Sequence, residues 1–232
     1  ALDVPKGEAP TIDGEMGDGE WADAVVVSLD RIDSGQNAFD LVDDWTDITT
    51  YAYMKWDDTN IYYFIQVWDD LIDYAEDENA NWEKDSIELF FDGDNSKGET
   101  PYDGIDDVQI RYNIGQEGAE SIDVGYGNGA DWAWPKENVQ YVALESEEGW
   151  NVEIAMPHAD LLIEAGLEFG FDMQLNDGDE GARTVYRWWA GGEPPWNTAA
   201  LFGTAKLVGG ETAVDSEPVS YTHLTLPTKV SV

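Results

Sequence analysis

The amino-acid sequence predicts an all-β fold, an antiparallel β-sandwich of immunoglobulin-like or jelly-roll type carrying one short helix. Three observations carry that prediction. Short segments alternate apolar and polar residues with a period of two; in one of them Ser86, Glu88 and Phe90 interleave with Ile87, Leu89 and Phe91. Turn-forming clusters separate these segments: Asp57-Asp58-Thr59-Asn60, Asp92-Gly93-Asp94-Asn95, Glu147-Glu148-Gly149 and Asn176-Asp177-Gly178-Asp179. The chain has 232 residues and is 42% apolar, enough for one domain with a buried core.

Taken in order, residues 1–9 read as a lead-in. The domain opens at Pro10-Thr11-Ile12-Asp13-Gly14-Glu15, with Glu20-Trp21-Ala22-Asp23-Ala24 following. Strands are expected at 49–56, 61–69, 85–91, 108–113, 139–144, 150–156, 169–177, 184–189 and 202–208, and a helix at 157–165. Many short alternating strands with frequent turns are the pattern of a sandwich. The domain therefore runs from 10 to 208. Residues 209–218 form a linker bearing Gly, Glu and Ser. Residues 219–232 lack any acidic residue, and Val219 to Thr228 resembles the translation of a sequencing-library adapter, so this tail, including His223, is set aside. The chain shows neither an initiator Met nor a signal peptide, and native sequence is expected both upstream and beyond the linker.

Composition narrows the function. Fifty acidic and 11 basic residues give a formal net charge of −39. That field disfavours nucleic acid and anionic membrane surfaces as partners. No run is long enough to span a membrane. Eleven Trp, 11 Tyr and 7 Phe argue for a folded protein inside an acidic shell, as in halophilic proteins, rather than for disorder. The absence of Cys excludes disulfides, thiolate catalysis and cysteine-held metals, yet is compatible with an extracellular location.

The segment Asn81-Trp82-Glu83-Lys84-Asp85-Ser86-Ile87-Glu88 places an indole at the mouth of a strand and a carboxylate along it. A sugar stacks its C–H face on such a ring and donates its hydroxyls to such an acid. Scarce cations stand out in this chain: of four Arg, Arg111, Arg183 and Arg187 lie in or beside the segments singled out here. Trp188 and Trp189 point to opposite faces of a strand, so at least one belongs to the core, and Trp132 and Trp134 read as structural. Asp92-Gly93-Asp94-Asn95-Ser96 offers calcium-type oxygen ligands at Asp92, Asp94 and Asn95; rival positions are 13–15 and 103–107. Zinc is not expected without Cys or a His pair.

Five segments in order resemble carbohydrate-binding module family 9. They are Pro10-Thr11-Ile12-Asp13-Gly14 with Trp21, Trp82 to Asp92, Asp106 to Asn113, Gly170 to Asp177, and Phe202-Gly203. The resemblance implies a β-sandwich attached to secreted glycoside hydrolases, often xylanases. It implies binding of mono- or disaccharide units, or of polysaccharide chain ends, between two tryptophans, together with structural calcium. On this sequence the tryptophans match Trp82 and Trp196, and the polar contacts match Glu88, Arg111, Gln174, Asn176 and Arg183. Glu193 stands where the family has Asn. The expectation is a non-catalytic, monomeric, extracellular module with a polysaccharide or oligosaccharide ligand and a covalently linked catalytic domain. Two alternatives accompany it. A glycoside hydrolase would use Glu83, Asp85 or Glu88, but Asp85 and Glu88 face opposite sides of a strand and cannot converge on one bond. A haem b electron-transfer domain of related fold would use Met54, Met156, His158 or a Lys as axial ligands.

Overall fold

A computed structural model of the chain describes residues 1–32, 48–75, 81–98, 102–103, 106–115, 124–126, 139–157, 163–179, 182–190 and 195–209. They form thirteen strands: β1 (Leu2–Pro5), β2 (Val25–Ser28), β3 (Arg31–Ile32), β4 (Ile48–Trp56), β5 (Asn60–Asp69), β6 (Ser86–Asp92), β7 (Asp107–Asn113), β8 (Val124–Tyr126), β9 (Gln140–Ser146), β10 (Gly149–Pro157), β11 (Glu168–Asp179), β12 (Ala182–Arg187) and β13 (Gly203–Val208). One sheet has the order β1-β13-β11-β6-β7-β8, with β12 and β3 added at the far end of β11; the other has the order β2-β4-β5-β10-β9.

The period-two pattern settles which side chains meet between the sheets. Ile87, Leu89 and Phe91 of β6, Ile110 and Tyr112 of β7, and Phe169, Phe171, Met173 and Leu175 of β11 face Met54, Trp56, Tyr63, Ile65, Trp150, Val152 and Ile154 of the second sheet in one core. Tyr63 and Phe171 stack across it with ring centroids 6.0 Å apart. Alternate residues of the same strands face outward, and on the first sheet these include the polar Glu88, Gln109, Arg111, Gln174 and Asn176 beside the apolar Phe90.

Part of the outer face of the second sheet is covered by the Pro10 to Ala24 segment, where Ile12, Trp21 and Ala24 pack with Tyr53, Tyr62, Phe64 and Ala155. Glu153 of β10 is fully buried and accepts from the Asp13 and Gly14 amides, each at 2.9 Å, and from Trp21 Nε1 at 3.3 Å. Gly14 has φ +80°, and a Cβ there would lie 2.9 Å from Leu144 Cβ, so this contact needs glycine. Lys55 reaches the Glu20 carbonyl and Asp23 beneath the same segment. The opening motif thus serves the fold by closing a sheet face.

Three expectations change. Residues 1–9 are no mere lead-in: β1 pairs in parallel with β13, Val4 opposite Leu207, which makes the first sheet mixed. An apolar dipeptide pair is too short a pattern to signal an edge strand. Strands β2, β3 and β8 are likewise unmarked by alternation. Of the 157–165 helix, Pro157 closes β10 and residues 158–162 lie outside the described residues. Among the described residues helical structure is limited to one-turn 3-10 pieces at Asn81–Glu83, Pro195–Asn197 and Ala199–Leu201.

Candidate functional site

The outward face of β6, β7, β11 and β12 carries a connected polar floor. Register places Arg111 opposite Glu88, Glu88 opposite Gln174, and Gln174 opposite Arg187, so four side chains line one row across four strands. Glu88 is 2% exposed. Its Oε1 accepts from Arg111 Nε and from Asn176 Nδ2, each at 2.9 Å, and its Oε2 accepts from Gln109 Nε2. Asn176 Nδ2 also donates to Ser86 Oγ at 2.9 Å, and Gln174 Nε2 donates to Asn176 Oδ1 at 2.8 Å. Arg187 Nε completes the chain by donating to Gln174 Oε1 at 2.8 Å. A buried acid, three amides and two guanidinium groups thereby fix one another, and a satisfied network of this kind presents its remaining donors and acceptors in set directions.

Two tryptophans lie on turns packed against this face. Trp82, in the Asn81–Glu83 turn, is 45% exposed, and the Arg111 guanidinium lies 6.0 Å from its ring centroid. Arg183 Nη1 donates to the Trp82 carbonyl at 2.8 Å and to Asn176 Oδ1 at 3.4 Å. Burial lowers the pKa of Arg183, and the charge of Glu88 opposes that shift. Trp196, in the Pro195–Asn197 turn, is 43% exposed. Its turn is tied down by Tyr102 Oη, which donates to the Pro195 carbonyl at 2.7 Å; Tyr102 itself packs with Phe90, Ala199 and Phe202.

All seven residues expected to contact a ligand are therefore on this face or on the turns at its rim. Sequence reasoning missed Gln109, Ser86 and Arg187 as members of the floor. Gln109 lies two residues from Arg111 on one strand, and Arg187 four from Arg183 on another, so strand periodicity held the signal. Of the two adjacent tryptophans, Trp188 packs against the core and Trp189 is exposed. Trp132, Trp134 and Glu193 lie outside the described residues.

Carboxylates gather at two further places. Asp92, Asp94 and Asp106 bring one oxygen each to within 4.8 Å of one another. Asn95 follows on the same loop, its side-chain oxygen accepting from Thr204 Oγ1 at 3.3 Å, and Asp106 joins the acids from just before β7. Asp92 also holds its loop, accepting from the Ser96 and Lys97 amides at 3.0 and 2.7 Å. A second group, Asp69, Asp85 and Asp177, is wholly buried. Asp85 accepts from the amides of Asp73 and Gly178; burial, and then the charge of Asp69, push its pKa to about 10. Asp85 thus turns away from Glu88, and the pair does not form a hydrolytic dyad. Met54 and Met156 are fully buried in the core between the sheets, and His158 lies outside the described residues.

The sequence profile of the carbohydrate family 9 binding domain-like proteins matches residues 12–210. The chain belongs to that family. It is a non-catalytic carbohydrate-binding module. Over 179 residues it is 29% identical to exoglucanase XynX of Acetivibrio thermocellus, a match covering 76% of this chain and 15% of that protein. Over 204 residues it is 28% identical to endo-1,4-beta-xylanase A of Thermotoga neapolitana, covering 86% and 17%. Endo-1,4-beta-xylanase C of Paenibacillus barcinonensis is 30% identical over 182 residues, covering 77% and 14%. The chain thus spans less than a fifth of the length of these curated relatives. The fold matches a family 9 carbohydrate-binding module of Caldicellulosiruptor kristjanssonii in complex with cellotriose, with a TM-score of 0.70, 20% identity, and 94% of this chain and 98% of that one covered. A glucose complex from the same organism gives the same TM-score.

Proposed function

We propose that the module grips one or two units at the end of a cellulose- or xylan-type chain between Trp82 and Trp196. The observation that carries this reading is the pairing of two half-exposed indoles with the hydrogen-bonded floor beneath them. The indoles would stack on the two faces of a pyranose, each contact contributing on the order of 1 kcal/mol beyond area burial. Arg111, Arg183 and the floor atoms of Glu88, Gln174 and Asn176 would meet the hydroxyls, and a desolvated hydroxyl left without a partner costs about 1–3 kcal/mol, which is how the site selects its sugar. The carboxylate of Glu88 is already engaged by three donors, so its part is to aim Arg111 and Asn176 as much as to accept from sugar.

The module would act as a monomer, outside the cell, joined in one chain to a glycoside hydrolase, as its length relative to the xylanases it resembles suggests. Holding the catalytic domain beside its substrate raises the effective concentration without new contacts. The test is calorimetry with cellobiose and xylobiose: Trp82→Ala and Trp196→Ala should each weaken binding at least tenfold with an unchanged circular-dichroism spectrum. Wild-type affinity in both variants would refute the grip.

Structural calcium is part of the same reading. Both carboxylate groups offer the hard oxygen ligands that calcium takes, and the buried one, Asp69 with Asp85 and Asp177, has the greater need of a compensating cation. Asp92, Asp94 and Asp106 would hold an ion that braces their loop. Chelation should lower the thermal midpoint and added calcium restore it, with Asp85→Asn and Asp94→Asn separating the two positions. A midpoint indifferent to both treatments would exclude the metal.

A further inference from the structure

The polar row does not stop at Arg187. Register continues it to Arg31 on β3, directly opposite Arg187, so Arg111, Glu88, Gln174, Arg187 and Arg31 run across five strands on one face. At that end stands Trp189, 46% exposed, as open as either tryptophan of the proposed grip. It is held on this face by Asp172, which lies two residues before Gln174 on β11. Asp172 Oδ1 accepts from the Trp189 amide at 2.9 Å and Oδ2 from the Ala190 amide at 2.8 Å. Gly203 leaves room for the indole: a Cβ there would come within 2.8 Å of Trp189 Cγ and 2.9 Å of Cδ2.

Trp189 also repeats the construction seen at Trp82. There one arginine donates to the tryptophan carbonyl at 2.8 Å and another lies 6.0 Å from the ring centroid. Here Arg31 does both, donating through Nη1 to the Trp189 carbonyl at 2.9 Å and lying 5.4 Å from the centroid. All four arginines of a chain with net charge −39 are thereby spent on one sheet face and its rim. Arg31 sits three strands from Glu88, about 14 Å at the usual strand spacing, and two from Gln174, about 10 Å.

We propose that Trp189 and Arg31 form a second sugar subsite on this face, which stacks and hydrogen-bonds a further pyranose unit of the same oligosaccharide whose end is held at Trp82 and Trp196. The inference rests on the proposed grip and extends it along the row. Its consequence is chain-length dependence: a disaccharide fills the first site alone, whereas a longer chain reaches Trp189.

The test is calorimetry on the whole chain with cello- and xylo-oligosaccharides of two to six units. Wild type should gain about three- to tenfold in affinity from disaccharide to hexasaccharide, the equivalent of one aromatic stacking contact. Trp189→Ala should bind disaccharide as wild type does and lose that gain, Trp189→Phe should keep most of it, and Arg31→Ala should lose part. Wild-type affinity independent of chain length, or an undiminished gain in Trp189→Ala, overturns the second subsite and leaves the first intact. A loss of disaccharide binding in both Trp189→Ala and Trp189→Phe also overturns it, by making Trp189 a support of the first site. Should Trp189→Ala not fold, Arg31→Ala decides, an unchanged gain counting against the proposal. Failure of every oligosaccharide to bind wild type would overturn both readings.

Discussion

Glu88 illustrates how much one side chain organises on the outward polar face of the first sheet. Its two oxygens take donors from three different residues on two neighbouring strands. Glu88→Gln would turn one acceptor into a donor pointed at Arg111, Asn176 or Gln109, leaving a buried donor without a partner at a cost of about 1–3 kcal/mol. We expect a loss of sugar affinity of tenfold or more with the sandwich intact, measured by calorimetry beside circular dichroism; undiminished affinity would show that the floor does not aim the binding groups. Asp172 gives a titration signature. Burial raises its pKa to about 6 from the ordinary 3.8, while the Ala190, Trp189 and Met173 amides and the charge of Arg187 pull it down. Because the folded chain holds this proton more tightly than the unfolded one, the contribution favours folding fully below about 3.8 and is lost as pH rises through about 6. Thermal midpoints of wild type and Asp172→Asn should therefore diverge in a pH-dependent way across that window, the wild type losing relative stability on the alkaline side. A constant offset at all pH values would dismiss the titration.

At the scale of the elements, the strands were legible because each buries one face. All nine expected strands are present within two residues at either end, for instance Gly149–Pro157 where 150–156 was expected. The Pro10 to Ala24 segment was legible as a motif but not as an element, since its role is to meet Glu153 on a strand 132 or more residues away in the chain. Glu153→Gln keeps the shape while turning one of two acceptors into a donor, either Oε2, which serves two amides, or Oε1, which serves an indole. It should lower the thermal midpoint by about 3–8 °C, taking about 1–3 kcal/mol for the buried donors left short and the sensitivity typical of a domain this size. Loosening should be confined to the outer face of the second sheet, visible as faster hydrogen exchange in β4, β5 and β10; uniform protection would place the anchor elsewhere. β1, β2, β3 and β8 escaped sequence reading because segments of two to four residues carry too few alternations to stand out, and their pairing is decided by the edges they find.

For the whole molecule, charge dominates outside the core. A net charge of −39 repels itself across the surface, and screening shortens the range of that repulsion from about 10 Å at 0.1 M salt to about 3 Å at 1 M. We expect the thermal midpoint to rise by at least about 5 °C between those conditions; a flat response would contradict the idea of a salt-adapted shell. Against this background the positive face formed by Arg31, Arg111, Arg183 and Arg187 is the exception, and it coincides with Trp82, Trp189 and Trp196, the exposed tryptophans among the described residues.

The sequence by itself determined the sandwich and the positions of its principal strands along the chain, because period-two burial and local turn chemistry are written in short windows, and it nominated the residues of the proposed grip through their motifs. Only the tertiary structure decided what joins across distance. Parallel pairing of β1 with β13, the capture of the opening motif by Glu153, the approach of Asp106 to Asp92 and Asp94, and the extension of the polar row to Arg31 and Trp189 all depend on register between strands far apart in the chain. Register follows from how two sheet faces pack as a whole, and no local window of residues contains it.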